Sequence, residues 1–286
     1  AESPMKDHPL TPMRDSSLVR VLQRQTKGKV GLVPFAVVDQ GAKAIAEAFR
    51  AARSRGERYV IVDAITDRHL IDMGAAAADM PLITGGSGVA LGLPENFISR
   101  GLMQRRPAPS TMPAPKGRAL IIAGSCSEAT RGQVRVAKEA GIPALEIDPL
   151  ALSTGAMEAG RLAQWATDQP AGQPVLIYSS AEPQTVRAVQ EKLGREAAGA
   201  LVERQLADVA KRLVSAGFSK LIVAGGETSG AVVNGLGVKA LEIGPEIDPG
   251  VPWTMSLDGK APLALALKSG NFGGPDFFLK AWSRLG

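Results

Sequence analysis

Two rhythms alternate along the chain. Short runs of β-branched and apolar residues give way to stretches whose apolar positions recur every three or four residues. That is the pattern of a parallel sheet with helices on its faces. Val30 to Val38 predicts a strand, and Ala42 to Arg53 a helix closed by Gly56. Arg58 to Asp63 predicts a second buried strand and Asp67 to Met80 a helix. Pro81-Leu82-Ile83 predicts a short strand that feeds Thr84-Gly85-Gly86-Ser87-Gly88.

Residues 104–117 break the rhythm. Pro107, Pro109, Pro113 and Pro115 remove backbone donors and bias their neighbours away from helix, so this stretch reads as a linker between residues 1–103 and 118–286. The rhythm then restarts. Strands are predicted at Ala119–Ala123, Ala144–Ile147, Pro174–Tyr178, Leu221–Ala224, Val238–Ile243 and Pro262–Leu267. A helix follows the first strand to Ala140, a long helical region covers Pro183 to Ala216 with a break near Gly194 or Gly199, and Asp276 to Arg284 closes the chain as a helix. The predicted fold is α/β: two lobes with parallel or mixed sheets flanked by helices, the C-terminal lobe binding a nucleotide.

Composition narrows this picture. Aromatic residues make up 4% of 286 residues against 32 glycines, which favours helices packed closely on sheets over an all-β sandwich. The formal charge of +5 (33 basic less 28 acidic) suits small anions. It comes without runs of Lys and Arg interleaved with aromatics, so nucleic acid is not expected as a partner. No apolar run is long enough to span a bilayer, and a lone Cys126 fits a reducing cytoplasm. No His, Cys and carboxylate cluster has metal-ligand spacing. His69, beside Asp67 and Asp72, reads as part of a solvated helix face.

The candidate chemistry lies at strand-to-helix junctions. Gly225-Gly226-Glu227-Thr228-Ser229-Gly230 and Lys268-Ser269-Gly270-Asn271-Phe272-Gly273-Gly274 each follow an apolar strand. Such turns direct free backbone N–H groups and the positive end of a helix dipole at a ligand, most often phosphate. Glu227 can hold a ribose hydroxyl or a metal-bound water, Thr228 and Ser229 offer hydroxyls, and Lys268 offers a point charge. Gly124-Ser125-Cys126-Ser127 repeats the geometry, and helix capping alone would also account for its serines. Neither large turn has the spacing of a P-loop or a Rossmann fingerprint. In the first lobe, Thr84, Gly85, Gly86 and Ser87 could seat an anion, while His8 lies in a segment without periodicity.

Together these segments resemble the four-carbon acid sugar kinase family. The matching stretches are His8 to Met13 with Asp15-Ser16, Val62-Asp63-Ala64 with Thr66-Asp67, Thr84 to Gly88, Gly124 to Ser127 with Ala129-Thr130, Gly225 to Gly230, and Lys268 to Gly273. The branch they most resemble acts on 3-oxo-tetronate. The resemblance implies an N-terminal substrate domain, an ATP domain, Mg²⁺ carried with ATP, and transfer of phosphate to the terminal hydroxyl of a four-carbon sugar acid. It implies ATP contacts at Ser125, Glu227 to Gly230 and Gly270. The candidate substrate contacts are Thr84 to Ser87 and His8, whose segment by composition alone reads as a frayed terminus. Family members begin with an Asp-Asp-x-Thr-Gly segment that this chain, opening on Ala1-Glu2-Ser3-Pro4, does not show, so an upstream catalytic segment is expected. The general base is not assigned, with Asp15 and Asp63 as the candidates present. Whether the acid is 3-oxo-tetronate, D-threonate or D-erythronate stays open, as does a homodimer. Two other readings are a dinucleotide-dependent oxidoreductase, which lacks its glycine fingerprint here, and a non-catalytic nucleotide-binding module.

Overall fold

A computed structural model describes Lys6 and residues 12–107, 111–179, 183–258 and 261–286. These fall into two compact units, one holding residues 12–107 and the other residues from 111 onward.

The first unit runs α1 (Leu18–Gln23), β1 (Lys29–Val33), α2 (Phe35–Val38), α3 (Ala42–Ser54), β2 (Glu57–Val62), α4 (Asp67–Ala76) and α5 (Pro94–Ser99), with a 3-10 turn at Ser87–Gly92 before α5. β1 and β2 pair in parallel, and Val33, Val38 and Ile45 form a core against Val60, Val62 and Met73. Three expectations fail here. The predicted strand Val30–Val38 is half helix. The chain turns at Pro34, and Asp63 Oδ2 accepts the Phe35 N–H at 2.9 Å, fixing the start of α2. Pro81-Leu82-Ile83 forms no strand, and α4 ends at Ala76 rather than Met80.

The second unit is a sheet of seven strands. These are β3 (Arg118–Ala123), β4 (Ala144–Glu146), β5 (Val175–Tyr178), β6 (Phe218–Ala224), β7 (Leu241–Asp248), β8 (Val251–Ser256) and β9 (Ala264–Lys268). Their spatial order is β4-β5-β3-β6-β9-β8-β7. The first five run parallel, while β8 and β7 are antiparallel additions at one side. The helices are α6 (Glu128–Glu139), α7 (Pro149–Ser153), α8 (Ala159–Asp168), α9 (Pro183–Leu193), α10 (Arg195–Ser215), α11 (Gly226–Leu236) and α12 (Phe277–Lys280).

Period-two alternation along the central strands sends side chains to two cores. Leu120, Ile122, Leu221 and Val223 pack with Leu206, Val209 and Leu213 of α10 and Val232 of α11. Ile121, Ala123, Ile222 and Ala224 pack on the opposite face with Val134 and Ala137 of α6 and Phe277 and Phe278 of α12. The long helical region breaks at Gly194, whose φ of 82° lies in the left-handed region.

β8 is not legible from the sequence pattern because Pro252 interrupts it. In the sheet Pro252 sits at a register shift opposite Glu246, and pairing with β9 begins only at Trp253, so its missing N–H breaks no ladder to β9. The predicted strand Val238–Ile243 lies further on, at Leu241–Asp248. The predicted helix Asp276–Arg284 is a four-residue α-helix followed by a 3-10 turn.

Candidate functional site

The connections leaving β3 and β6 diverge. The chain after β3 enters α6 on one face of the sheet, whereas the chain after β6 enters α11 on the other. Adjacent parallel strands whose exits separate in this way leave a crevice at their C-terminal ends, where open α/β sheets hold ligands. β9 lies beside β6, so three turns meet there: Gly124 to Ser127, Gly225-Gly226, and Ser269 to Gly274.

Their contacts are direct. The Gly124 and Ser125 N–H groups both donate to the Ala224 carbonyl, at 3.0 and 3.2 Å, and the Gly225 N–H donates to the Lys268 carbonyl at 2.9 Å. Gly225 has φ 128°, which an L side chain rarely adopts, and a Cβ there would lie 2.9 Å from Thr228 Oγ1 and 3.3 Å from Ser125 N. A Cβ on Gly270 would lie 2.9 Å from Ser127 Oγ and nearer still to Ser125 Oγ. Glycine at these points is what lets the three turns approach one another.

The two helices that open on this crevice are finished differently. α6 is capped by Ser127, whose Oγ accepts the Thr130 N–H at 3.2 Å. α11 starts at Gly225 with no side-chain cap. Its first turn therefore keeps backbone donors and the positive end of a helix dipole at the crevice. On that turn Glu227 is exposed and Thr228 is buried. The Ser229 hydroxyl donates back to the Val223 carbonyl at 3.4 Å, and Gly230 follows in the helix with open space at its Cα.

Lys268 sits beneath the third turn. It is 1% exposed, and its ammonium donates to Thr130 Oγ1 at 3.0 Å and to the Gly270 carbonyl at 3.2 Å. Both partners are neutral. Burial brings its pKa down to about 8. The Gly270 carbonyl also accepts the hydroxyls of Ser127 (2.6 Å) and Thr130 (2.8 Å). Gln133, one turn further along α6, donates its Nε2 to the carbonyls of Phe272, Gly273 and Gly274 at 2.9–3.1 Å. Its Oε1 is buried without a partner among the described residues. Thr130 and Gln133 are both fully buried, and Gln133 belongs to none of the motifs visible in the sequence. Two uncharged polar residues at i, i+3 on the same face of α6 as Val134 and Ala137 were the available signal.

In the first unit, Thr84, Gly85, Gly86 and Ser87 form an exposed loop that ends in the 3-10 turn. That turn is held close to α4: a Cβ on Gly74 would run into the backbone of Gly92, and Asn96 Nδ2 donates to the Gly74 carbonyl at 2.9 Å. Asp63 stands at the end of β2 as the acceptor for Phe35 N–H. Asp15 accepts the Ser17 N–H and pairs with Arg20 at 2.7 Å and Arg24 at 3.2 Å; hydrogen bonding from Arg20 holds its carboxyl at about 2. A carboxylate that acidic is a weak proton acceptor. His69 is not on a solvated face as expected. It is 2% exposed, its Nδ1 accepts the Ile65 N–H at 3.2 Å, and that bond sets the tautomer with hydrogen on Nε2, 3.3 Å from Asp39 Oδ1. It shapes the loop after β2. His8 lies outside the described residues.

Residues 120–278 match the nucleotide-binding C-terminal domain family, and residues 1–93 match the sugar-binding N-terminal domain family. A protein of Cupriavidus necator named 3-oxo-tetronate kinase is 56% identical over 285 residues, covering 100% of this chain and 65% of the relative. One of the same name from Pseudomonas savastanoi pv. phaseolicola is 50% identical over 285 residues, covering 100% of this chain and 66% of the relative. A crystal structure from Salmonella typhimurium LT2 superposes with TM-score 0.74 at 37% identity, covering 100% of this chain and 67% of its own. The chain thus spans about two thirds of the length of the relatives it matches.

Proposed function

Since the chain belongs to the four-carbon acid sugar kinase family, we propose that it serves the transfer of a phosphoryl group from ATP to the 4-hydroxyl of a four-carbon sugar acid. 3-oxo-tetronate is the first candidate acceptor, and D-threonate and D-erythronate are its competitors. The observation that carries this reading is the uncapped start of α11, placed beside the Ser125 and Gly270 turns at the divergence of β3 and β6. Phosphoryl transfer needs in-line positioning and neutralisation of oxygen charge more than covalent chemistry. An array of backbone donors meets that need in a form that requires no reorganisation during the reaction.

In this reading Ser125, Thr228, Ser229, Gly230 and Gly270 line the polyphosphate side of the nucleotide, and Glu227, exposed on the same turn, faces the ribose or a metal-bound water. Lys268 acts from behind the turn, since its ammonium is enclosed. Among the described residues no group of three His, Cys, Asp or Glu could hold a metal ion. Mg²⁺ would therefore arrive on the phosphates and keep most of its waters. The sugar acid is assigned to the first unit, with its carboxylate on the Thr84–Ser87 loop and His8 as a further contact. Of the two candidate bases Asp63 is the better, because the arginine pairing of Asp15 leaves it too acidic. A single Cys126 of intermediate exposure suits a reducing cytoplasm.

ADP release from Mg-ATP tests this reading, assayed with 3-oxo-tetronate, D-threonate and D-erythronate in parallel on this chain and on the chain extended to the length of its relatives. Acid-dependent ADP release by either form supports it, and the acid with the highest kcat/KM identifies the acceptor. Absence of ADP release from both forms with all three acids overturns it.

A further inference from the structure

Lys268 is the only lysine or arginine among the described residues whose side chain is buried. A buried ammonium normally has a carboxylate partner. This one has two neutral oxygens, Thr130 Oγ1 and the Gly270 carbonyl. Among the described residues no carboxylate of the surrounding elements, Glu128 at the start of α6 included, forms an ion pair with Lys268, and burial is the one cause acting on its ammonium. Arg131 of α6 donates to the Cys126 carbonyl. At Gly274, Asp248 of β7 and Asp276 preceding α12 both pair with Lys280. Glu227 of α11 interacts with Glu203 of α10, whose pKa is raised first by burial and then by the charge of Glu227. Burial alone accounts for the lowered pKa of Lys268.

An uncompensated cation has thus been placed one hydrogen bond behind a turn that fronts the crevice. We propose that Lys268 is a positioning residue whose missing counter-charge is the polyphosphate of the nucleotide, so that nucleotide binding draws a proton onto its side chain. The ammonium does not touch the ligand. It holds the Gly270 carbonyl directly and through Thr130, and its field acts across a medium of low dielectric where a charge is poorly screened. Anionic oxygens arriving in front of the turn stabilise the protonated form. By linkage, whatever raises the proton affinity of Lys268 is itself bound more tightly when Lys268 is charged. The proton comes from solvent and no bond other than N–H is made. This inference rests on the nucleotide reading above.

Isothermal titration of the chain with Mg-ATP tests it, in HEPES and in Tris at matched pH, with adenosine as the uncharged control. The difference in apparent enthalpy between buffers gives the protons taken up per nucleotide. Above pH 7 the phosphates of Mg-ATP are already deprotonated, so uptake reports on the protein. With a free-state value of about 8, uptake should rise from near zero at pH 7 through about half a proton at pH 8 toward about one at pH 9. ATP affinity should fall over the same range while adenosine affinity holds. In Lys268→Met the uptake should vanish, and ATP affinity should fall by at least about tenfold, a larger factor than for adenosine. ATP binding with the same apparent enthalpy in both buffers at pH 8 and 9 overturns this inference and leaves the nucleotide reading standing. No binding of ATP at all overturns both. The wild-type measurement decides the matter even if Lys268→Met does not fold.

Discussion

The hydroxyl of Ser127 donates a 2.6 Å hydrogen bond to the carbonyl of Gly270, 143 residues further along the chain. The same oxygen caps α6 by accepting the Thr130 N–H. One side chain therefore finishes a helix and ties two of the three crevice turns together. Ser127→Ala should lose both functions. We expect a stability loss of about 1–2 kcal/mol in urea denaturation, the usual range for losing an N-cap, together with weaker ATP binding. Ser127→Thr keeps the hydroxyl and should recover most of the stability.

Gly270→Ala tests the close approach of the turns. A Cβ there meets Ser125 Oγ, Ser127 Oγ and Ser127 Cβ, the last at 3.1 Å. The β9 turn must shift, because two of the three obstructions belong to the helix start that the turn is pinned against. ATP affinity should fall by more than about tenfold, an effect of about 1.4 kcal/mol or more, measured by calorimetry. Gly132→Ala, within α6 and outside the proposed site, is the control. Nothing crowds its added Cβ, so ATP affinity should hold and the melting temperature should stay level or rise slightly.

Gln133 holds three successive carbonyls of the third turn through one nitrogen. Gln133→Leu leaves those half-buried carbonyls without this donor. A buried group left unsatisfied costs roughly 1–3 kcal/mol, so the expected loss is in that range. Hydrogen exchange should rise locally at residues 272–277.

Asp15 provides a pH signature in the first unit. Its carboxyl is lowered from 3.8 to about 2, chiefly by its hydrogen bond from Arg20. A depressed carboxylate pKa means that the ion pair favours the folded state above pH 3.8 and ceases to do so as pH falls through about 2. A carboxyl carbon titration by NMR should place the Asp15 midpoint near 2. In Arg20→Gln the midpoint should move up toward 3.8.

Much of this fold could be read from periodicity. The five parallel strands of the second unit and the helix break at Gly194 follow from local apolar runs and from one glycine. What escaped had non-local causes. Phe35 to Val38 looks like strand but becomes helix because Asp63, a residue of the next strand's end, accepts the Phe35 N–H. β8 carries Pro252, which sits at a register shift opposite Glu246 and ahead of the first pair with β9. His69 has acidic neighbours in sequence, yet its ring is enclosed and bonded to Ile65, which no composition argument foretells. The glycine turns of the site were visible because their spacing is local. The bracing roles of Thr130 and Gln133 were hidden because their partners lie about 140 residues away.

The central claim is that the turns after β3, β6 and β9 form one nucleotide site. Amide hydrogen exchange with and without Mg-ATP measures it directly. Added protection should appear together in segments 124–127, 226–230 and 270–274, with the same dependence on ATP concentration. Protection confined to one of these turns, or falling wholly outside them while ATP is bound, would contradict it.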